Sequence, residues 1–395
     1  MCDTTPRPGP TAAPAPFAVP AAPPKLLFLV TEDWYFCSHR LPVARAARAA
    51  GFDVTVATRV AAHGDRIRDE GFALRPVSWR RRGGGIAGSL RAIAEIAGIY
   101  RAERPDIVHH VALKPILFGA VAARLAFGRR RPAIVAAVMG LGAGVGRLYR
   151  APLWAALRWA TGGSQVIVQN PDDRAALAAL GVDAGRIELI RGSGVDIGHF
   201  SPLPEPEGPP AVALVARMLK SKGVLDAAAA IRRLHAQGQA IELVLAGPTD
   251  PDSADSLTAE AMQSLAAEPG ITWLGRVDDV RKVWRRAQIA VFPSTYGEGL
   301  PKALLEAAAC ARPIVAADIP GTREIVRHGE SGILVPPHDV AALAEAIAGL
   351  AADPDWRAAL GRGGRALVER EFAETIVAER TLALYRRLLG ERNTQ

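Results

Sequence analysis

The stretch Ser294–Ala307, "STYGEGLPKALLEA", follows a short apolar run, Ile289–Phe292, and a proline, Pro293. An apolar run of that length reads as a buried strand, and Ser294–Gly299 is rich in turn residues. Pro301 suits the first position of a helix, because its missing N–H is one the helix would leave unpaired anyway. The reading is therefore strand, turn, helix. Glu298 is expected in the turn and Glu306 about a turn and a half inside the helix. The helix start would expose the backbone N–H groups of Gly299 and Leu300, and such a start attracts phosphate. A carboxylate accepts two hydrogen bonds from a vicinal diol, so the glutamates suit sugar hydroxyls. A phosphate flanked by two sugars, as in a nucleotide-sugar, would use all three features. The alternative is a solvated Glu298 and a surface Glu306, although Leu304, Leu305 and Ala307–Ala309 make that helix nearly all apolar.

The same alternation runs through the whole chain. Candidate strands are Lys25–Val30, Asp53–Ala57, Phe72–Val77, Asp106–Val111, Ala133–Met139, Gln165–Gln169 and Ile187–Arg191. They continue as Ala211–Ala216, Ile241–Ala246, Ile271–Leu274, Ile289–Phe292, Pro313–Ala317 and Gly332–Val335. Helical patterns such as Leu41–Ala50, Leu90–Glu103, Asp226–Ala236 and Val340–Ala351 lie between them. Strands alternating with helices imply right-handed βαβ units and parallel sheets. With 395 residues, two α/β domains are expected rather than one.

The boundary falls at "FSPLPEPEGPP", Phe200–Pro210, too rich in proline for strand or helix. Residues 1–24, rich in Pro, Ala and Thr, read as a disordered tail without the form of a signal peptide. Residues 25–200 would form one doubly wound domain and 201–375 another, facing a cleft. Residues 376–395 would form a last helix that crosses back to the first domain. In such sheets ligands bind beyond the carboxyl ends of the strands.

The two halves differ in charge. Residues 25–200 carry 25 Lys/Arg against 14 Asp/Glu, and residues 201–395 carry 22 against 25. The basic first half should meet something anionic. Arg80–Arg82, Arg129–Arg131, and Arg147, Arg150 and Arg158 beside Trp154 and Trp159 suit an anionic bilayer surface. The alternative for the last group is a core helix with snorkelling arginines. No apolar run reaches transmembrane length. Three cysteines, Cys2, Cys37 and Cys310, offer neither a metal clip nor a disulfide framework and fit a reducing cytoplasm.

Several loops after strands carry candidate chemistry. "VARMLKSKGV" places Arg217 and Lys222 after Ala211–Ala216, where they could stabilise a leaving diphosphate without a metal. In "TEDWYFCSHR", Thr31–Arg40, the aromatics Trp34, Tyr35 and Phe36 are read as a loop cluster that stacks on a sugar, faces a lipid or simply packs, with Ser38 as a helix cap. "DIVHHVALKP" brings His109 and His110 to a strand end, pointing to opposite faces, with Lys114 beyond. "MGLGAGVG", Met139–Gly146, would let a ligand approach the backbone, but does not spell a dinucleotide fingerprint. Asp250-Pro-Asp252 has the look of a metal-binding D-x-D and is assigned to chance.

At these residues the chain resembles the retaining family 4 glycosyltransferases of the GT-B fold, from Lys25 nearly to the C-terminus. The resemblance is carried by the E-x7-E pair Glu298–Glu306 in "EGLPKALLEAAACARPIVAADIPGTREIV", and by "ARMLKSKGV", "GSGVDIGHF" and "LVPPHDVAALAEAI". "TEDWYFCSHRLPVARAARAAGF" and "VHHVALKP" resemble a bacterial branch that extends polyprenyl-diphosphate-linked glycans. The resemblance implies roles. Arg217 and Lys222 would hold the donor diphosphate. Glu298, Gly299, Leu300 and Pro301 would face the donor sugar, Glu306 the ribose, and Gly247 and Val277 the nucleotide. His109 or His110 would assist catalysis. Trp34, His39, Lys114, Gly140 and Gly142 would lie on the acceptor side. The family's usual first-domain pattern has histidines one residue apart, whereas here His109 fits the first place, Val111 takes the second and His110 stands between. The implied partners are a UDP-sugar, a polyprenyl-diphosphate-linked glycan and an anionic membrane surface on its cytoplasmic side, without nucleic acid, cofactor or metal. A nucleotide-sugar epimerase of the same architecture, or a non-enzymatic basic binder of membrane or nucleic acid, stays open from sequence.

Overall fold

The computed structural model describes residues 22–79, 85–128, 131–141, 147–296 and 299–393. Residues 1–21 of the expected tail, Arg80–Arg82, Arg129, Arg130, Gly142 and Glu298 lie outside the described residues.

Two parallel sheets form the frame. The first has seven strands: β1 (Lys25–Glu32), β2 (Asp53–Arg59), β3 (Ala73–Pro76), β4 (Ile107–Val111), β5 (Ala133–Ala137), β6 (Gln165–Val168) and β7 (Ile187–Leu189). They are ordered β3-β2-β1-β4-β5-β6-β7. The second has six: β8 (Ala211–Val215), β9 (Glu242–Ala246), β10 (Ile271–Trp273), β11 (Ile289–Phe292), β12 (Ile314–Ala317) and β13 (Gly332–Val335), ordered β10-β9-β8-β11-β12-β13. Each expected strand is present, with no end shifted by more than two residues. Central strands such as "LLFLV" are buried throughout, as parallel strands covered by helices on both faces must be. In both sheets the strand order reverses at the first strand, so each carries its crevice beside β1 or β8.

The proline-rich segment at 200–210 forms neither helix nor strand after Phe200 and lies on the second sheet's domain. Arg312 donates to the carbonyl of Pro204 (2.6 Å) and Gln288 to that of Pro206 (3.0 Å). The chain passes between the domains a second time near residue 373. There Val195 N donates to Phe372 O and Glu374 N to Val195 O, both at 3.0 Å. The last helix, Glu374–Asn393, then packs against Leu41–Ala49. It places Val377, Leu382, Leu384 and Tyr385 in the first domain's core.

One local expectation is corrected. Trp34–Phe36 is not a loop but part of a short helix, Asp33–His39. Ser38 lies inside that helix and caps nothing: its Oγ bonds Tyr35 O and His39 Nδ1. The helix forms because Asp33 is buried and satisfied. Its carboxylate accepts from the backbone of Trp34, Ala61 and His63 (2.6–2.8 Å).

Candidate active site

The carboxyl ends of β8 and β11 build one wall of a cavity of about 410 Å³ between the domains. Arg217 follows β8, and Lys222 ends a single 3-10 turn, Lys220–Lys222, closed by Gly223 at φ 72°. Both side chains line the cavity. Arg217 is held by the carboxylate of Asp250. The Lys222 ammonium lies 5.4 Å above the Phe292 ring and 5.2 Å above that of Tyr296, which tethers the cation over aromatic faces. Gly299, Leu300 and Pro301 lie alongside. Pro301 sits one residue earlier than expected: it precedes the helix Lys302–Ala309, with ψ 118°.

The opposite wall comes from the first domain. Trp34, Tyr35 and His39 share one side of their short helix and line the cavity with Ala112, Met139 and Gln169. Tyr35 and His39 stack at 4.1 Å with nearly parallel rings, while Trp34 is 37 % exposed. Burial, with Lys302 and Arg40 nearby, pulls the His39 imidazole down to about 3, so it is neutral around pH 7. Ala112 follows β4 at φ 76°, a conformation costly for a residue with a Cβ. It is held there by Ala112 N donating to Ala137 O and Ala112 O accepting from Ile116 N.

The walls touch. Lys302 Nζ donates to Ser38 O across the cleft (2.6 Å). Asn170 Nδ2 donates to Gly299 O (3.3 Å), and a Cβ on Gly299 would lie 2.2 Å from Gln169 Oε1. Glu306 is one helical turn from Lys302, with 4.0 Å between their charged atoms and only 12 % of its side chain exposed. Burial raises its carboxyl to about 7, against the pull of Lys302.

Of the residues singled out from sequence, Trp34, His39, Arg217, Lys222, Gly299, Leu300 and Pro301 meet at this cavity. Glu306 stands behind it through Lys302. His109 and His110 do not reach it. Central strand β4 is covered on both faces, so His109 is buried against Phe28 and bonds Tyr385 (Nδ1 to Oη, 2.5 Å), and His110 bonds Tyr100 (2.8 Å) on the other face. Lys114 lies over the rings of Trp79 and Phe118 instead. Val277 packs against the second domain's core, and Gly140 follows Met139 without lining the cavity. Gly247 abuts the wall from behind: at φ 144° its missing Cβ would fall 1.7 Å from Ala216 O. Asp250, assigned to chance from sequence, orients Arg217. Lys302 and Gln169 carried no sequence signal, and Met139 only as the start of "MGLGAGVG". Among the described residues no group of three His, Cys, Asp or Glu is placed to hold a metal, and no helix is long and apolar enough to cross a membrane. A larger hollow, about 680 Å³, lies near Arg186 and Arg387, by the amino ends of strands such as β5 and β7, away from where such sheets bind ligands.

Residues 209–353 match the family model described as glycosyl transferases group 1, and residues 25–158 the one described as glycosyl transferase 4-like. The α-maltose-1-phosphate synthase of Mycolicibacterium smegmatis is 33 % identical over 55 % of this chain and 52 % of its own. The capsular polysaccharide glycosyltransferase CapM of Staphylococcus aureus is 27 % identical over 46 % of this chain and 47 % of its own. The chain thus spans about half the length of the curated relatives it matches. Among solved structures, Anabaena HepE in complex with UDP and glucose aligns with a TM-score of 0.75 at 18 % identity, covering 91 % of this chain and 99 % of that one. Sucrose-phosphate synthase of Thermosynechococcus elongatus aligns at 0.78 and 22 %, covering 93 % and all of that chain. The first domain thus matches the glycosyl transferase 4-like model and the second the group 1 model, each over about a third of the chain, on two facing parallel sheets that share the GT-B fold of these solved structures.

Proposed function

We propose that this chain is a retaining glycosyltransferase. It moves a sugar, a hexose or N-acetylhexosamine, from a UDP-sugar to a glycan borne on a polyprenyl diphosphate, at the cytoplasmic face of the membrane, in surface polysaccharide or glycan synthesis. The observation that carries this is one cavity with two cations, Arg217 and Lys222, on one wall and an aromatic platform, Trp34, Tyr35 and His39, on the other. The UDP in the HepE complex and the polysaccharide role of CapM support the donor and the setting.

In this reading Arg217, oriented by Asp250, and Lys222 neutralise the diphosphate as the bond from the anomeric carbon to its phosphate oxygen breaks. The acceptor hydroxyl attacks from the face the phosphate leaves. Its proton passes to a leaving-phosphate oxygen, so UDP departs without a carboxylate nucleophile and without metal. Glu306 accepts the ribose hydroxyls. His39, neutral and stacked, meets the acceptor with Trp34. Contact between the walls excludes water, which would otherwise hydrolyse the donor.

The test incubates the purified chain with a panel of UDP-sugars and short prenyl-diphosphate glycans, reading products by mass spectrometry and the new linkage by NMR. The expected product is one sugar heavier, with the donor's anomeric configuration kept. Conversion of donor to an epimer without transfer would overturn the reading.

A further inference from the structure

Arg40 joins the helices Asp33–His39 and Leu41–Ala49 and sends its side chain into the first domain, where it is only 3 % exposed. Buried arginines ordinarily meet a carboxylate, because an uncompensated buried charge is costly. Among the described residues none meets this one. Among the described residues its only side-chain hydrogen bond runs from Nη2 to Met139 Sδ (2.8 Å), and Nε is buried without a partner. The ionisable groups around it among the described residues are the phenols of Tyr35 and Tyr385 and the imidazoles of His39 and His109, none of them an anion near neutral pH. A thioether is a weak acceptor. Gln169 Nε2 nevertheless donates to the same sulfur (3.3 Å). Two strong donors thus converge on one poor acceptor, and that acceptor lines the cleft.

Geometry says what would suit them better. Nε and Nη2 form one edge of the guanidinium fork, the edge that binds two oxygens of a carboxylate or phosphate side by side. Here that edge has sulfur at one tooth and nothing at the other. Methionine is unbranched and turns easily, so Met139 can yield the position.

We infer that Arg40 and Gln169 form a buried oxyanion subsite in the first-domain wall, behind Met139, for a carboxylate or phosphate carried by a sugar substrate. The inference rests on the sugar-transfer reading. It adds a charged group to the substrate, beyond the donor diphosphate at Arg217 and Lys222. The source is the carboxylate of a uronic acid in the donor or the diphosphate of the acceptor.

Calorimetry on the full chain distinguishes these. One arm compares UDP-glucuronate with UDP-glucose; the other compares a short prenyl diphosphate with the matching prenyl alcohol. In one arm the member with the added anionic group should bind about ten- to hundredfold tighter, the range for charge-assisted hydrogen bonds. Arg40→Met should bring that preference to within about threefold while raising the melting temperature, because it removes an unpaired buried charge. A merely structural arginine would do the reverse: the preference would stand and the melting temperature would fall. Arg40→Lys keeps the charge and loses the fork; it should lower the preference about tenfold and serves if the methionine variant does not fold. No preference in either arm, or a preference that both variants keep, overturns the subsite. Failure of UDP itself to bind the wild-type chain would instead sink the transfer reading.

Discussion

The ammonium of Lys302 bonds the carbonyl of Ser38, 264 residues away in the chain and on the other side of the cleft (2.6 Å). The same ammonium stands 4.0 Å from the Glu306 carboxylate. One side chain therefore both ties the walls together and sits over the acid assigned to the ribose.

Replacing that tie is the most direct test of closure. Lys302→Met keeps length and loses the charge-assisted bond, worth about 1.5–3 kcal/mol in general and near the lower figure for this partly exposed pair. We expect kcat/KM to fall about tenfold and X-ray scattering with UDP to report a wider particle. Unchanged turnover would show that closure does not depend on this contact.

Glu306 gives a pH dependence of definite sign. Its folded carboxyl sits near 7, above the ordinary 4.5. The folded state therefore holds the proton longer. The stability this provides is full below about pH 4.5 and is lost as pH rises to about 7, roughly 3 kcal/mol in all. Glu306→Gln should erase that loss, so its advantage in urea unfolding over the wild type grows from pH 4.5 to 7.5. The carboxylate, not the acid, accepts two ribose hydroxyls, so affinity for UDP-glucose, whose esterified diphosphate does not titrate in this range, should climb through pH 7 in the wild type and stay flat in the variant. The opposite slope in titrations would refute the assignment.

Two glycines separate stability from closure. Gly247→Ala puts a Cβ on the Ala216 carbonyl inside one domain, at a φ that disfavours side chains. It should lower the melting temperature steeply. Gly299→Ala meets Gln169 of the other domain. Each domain can keep its own fold, so melting should shift little while turnover drops at least about tenfold. Equal effects of the two on melting would contradict this division.

The histidine pair is structural by placement. Tyr385→Phe removes the partner of His109 Nδ1 and leaves both ring nitrogens buried without a bond, since Nε2 already has none. The expected cost is about 1–3 kcal/mol of stability, read by urea unfolding, with UDP affinity within about threefold of the wild type. A large loss of UDP affinity at full stability would return His109 to the site.

The strands were legible because each is a short apolar run bounded by turn residues, and Arg217 and Lys222 because they directly follow one. What escaped depends on neighbours distant in sequence. Seven residues, Asp33–His39, are too few to show a helical period, and Asp33 satisfies loop groups near residue 61. His109 and His110 look exposed at a strand end until Tyr385 and Tyr100 cover them. Asp250 resembles an ordinary loop acid until β9 delivers it to Arg217. Arg40 has no pattern around it in sequence; its burial without a counter-ion among the described residues shows only in the structure.

The paired backbone bonds joining Val195 to Phe372 and Glu374 lash the two interdomain passages side by side. A door hung on two adjacent pins swings but does not slide. Opening should therefore proceed as rotation about that one axis, carrying the lips at Ser38 and Lys302 through the widest arc while the pivot scarcely shifts.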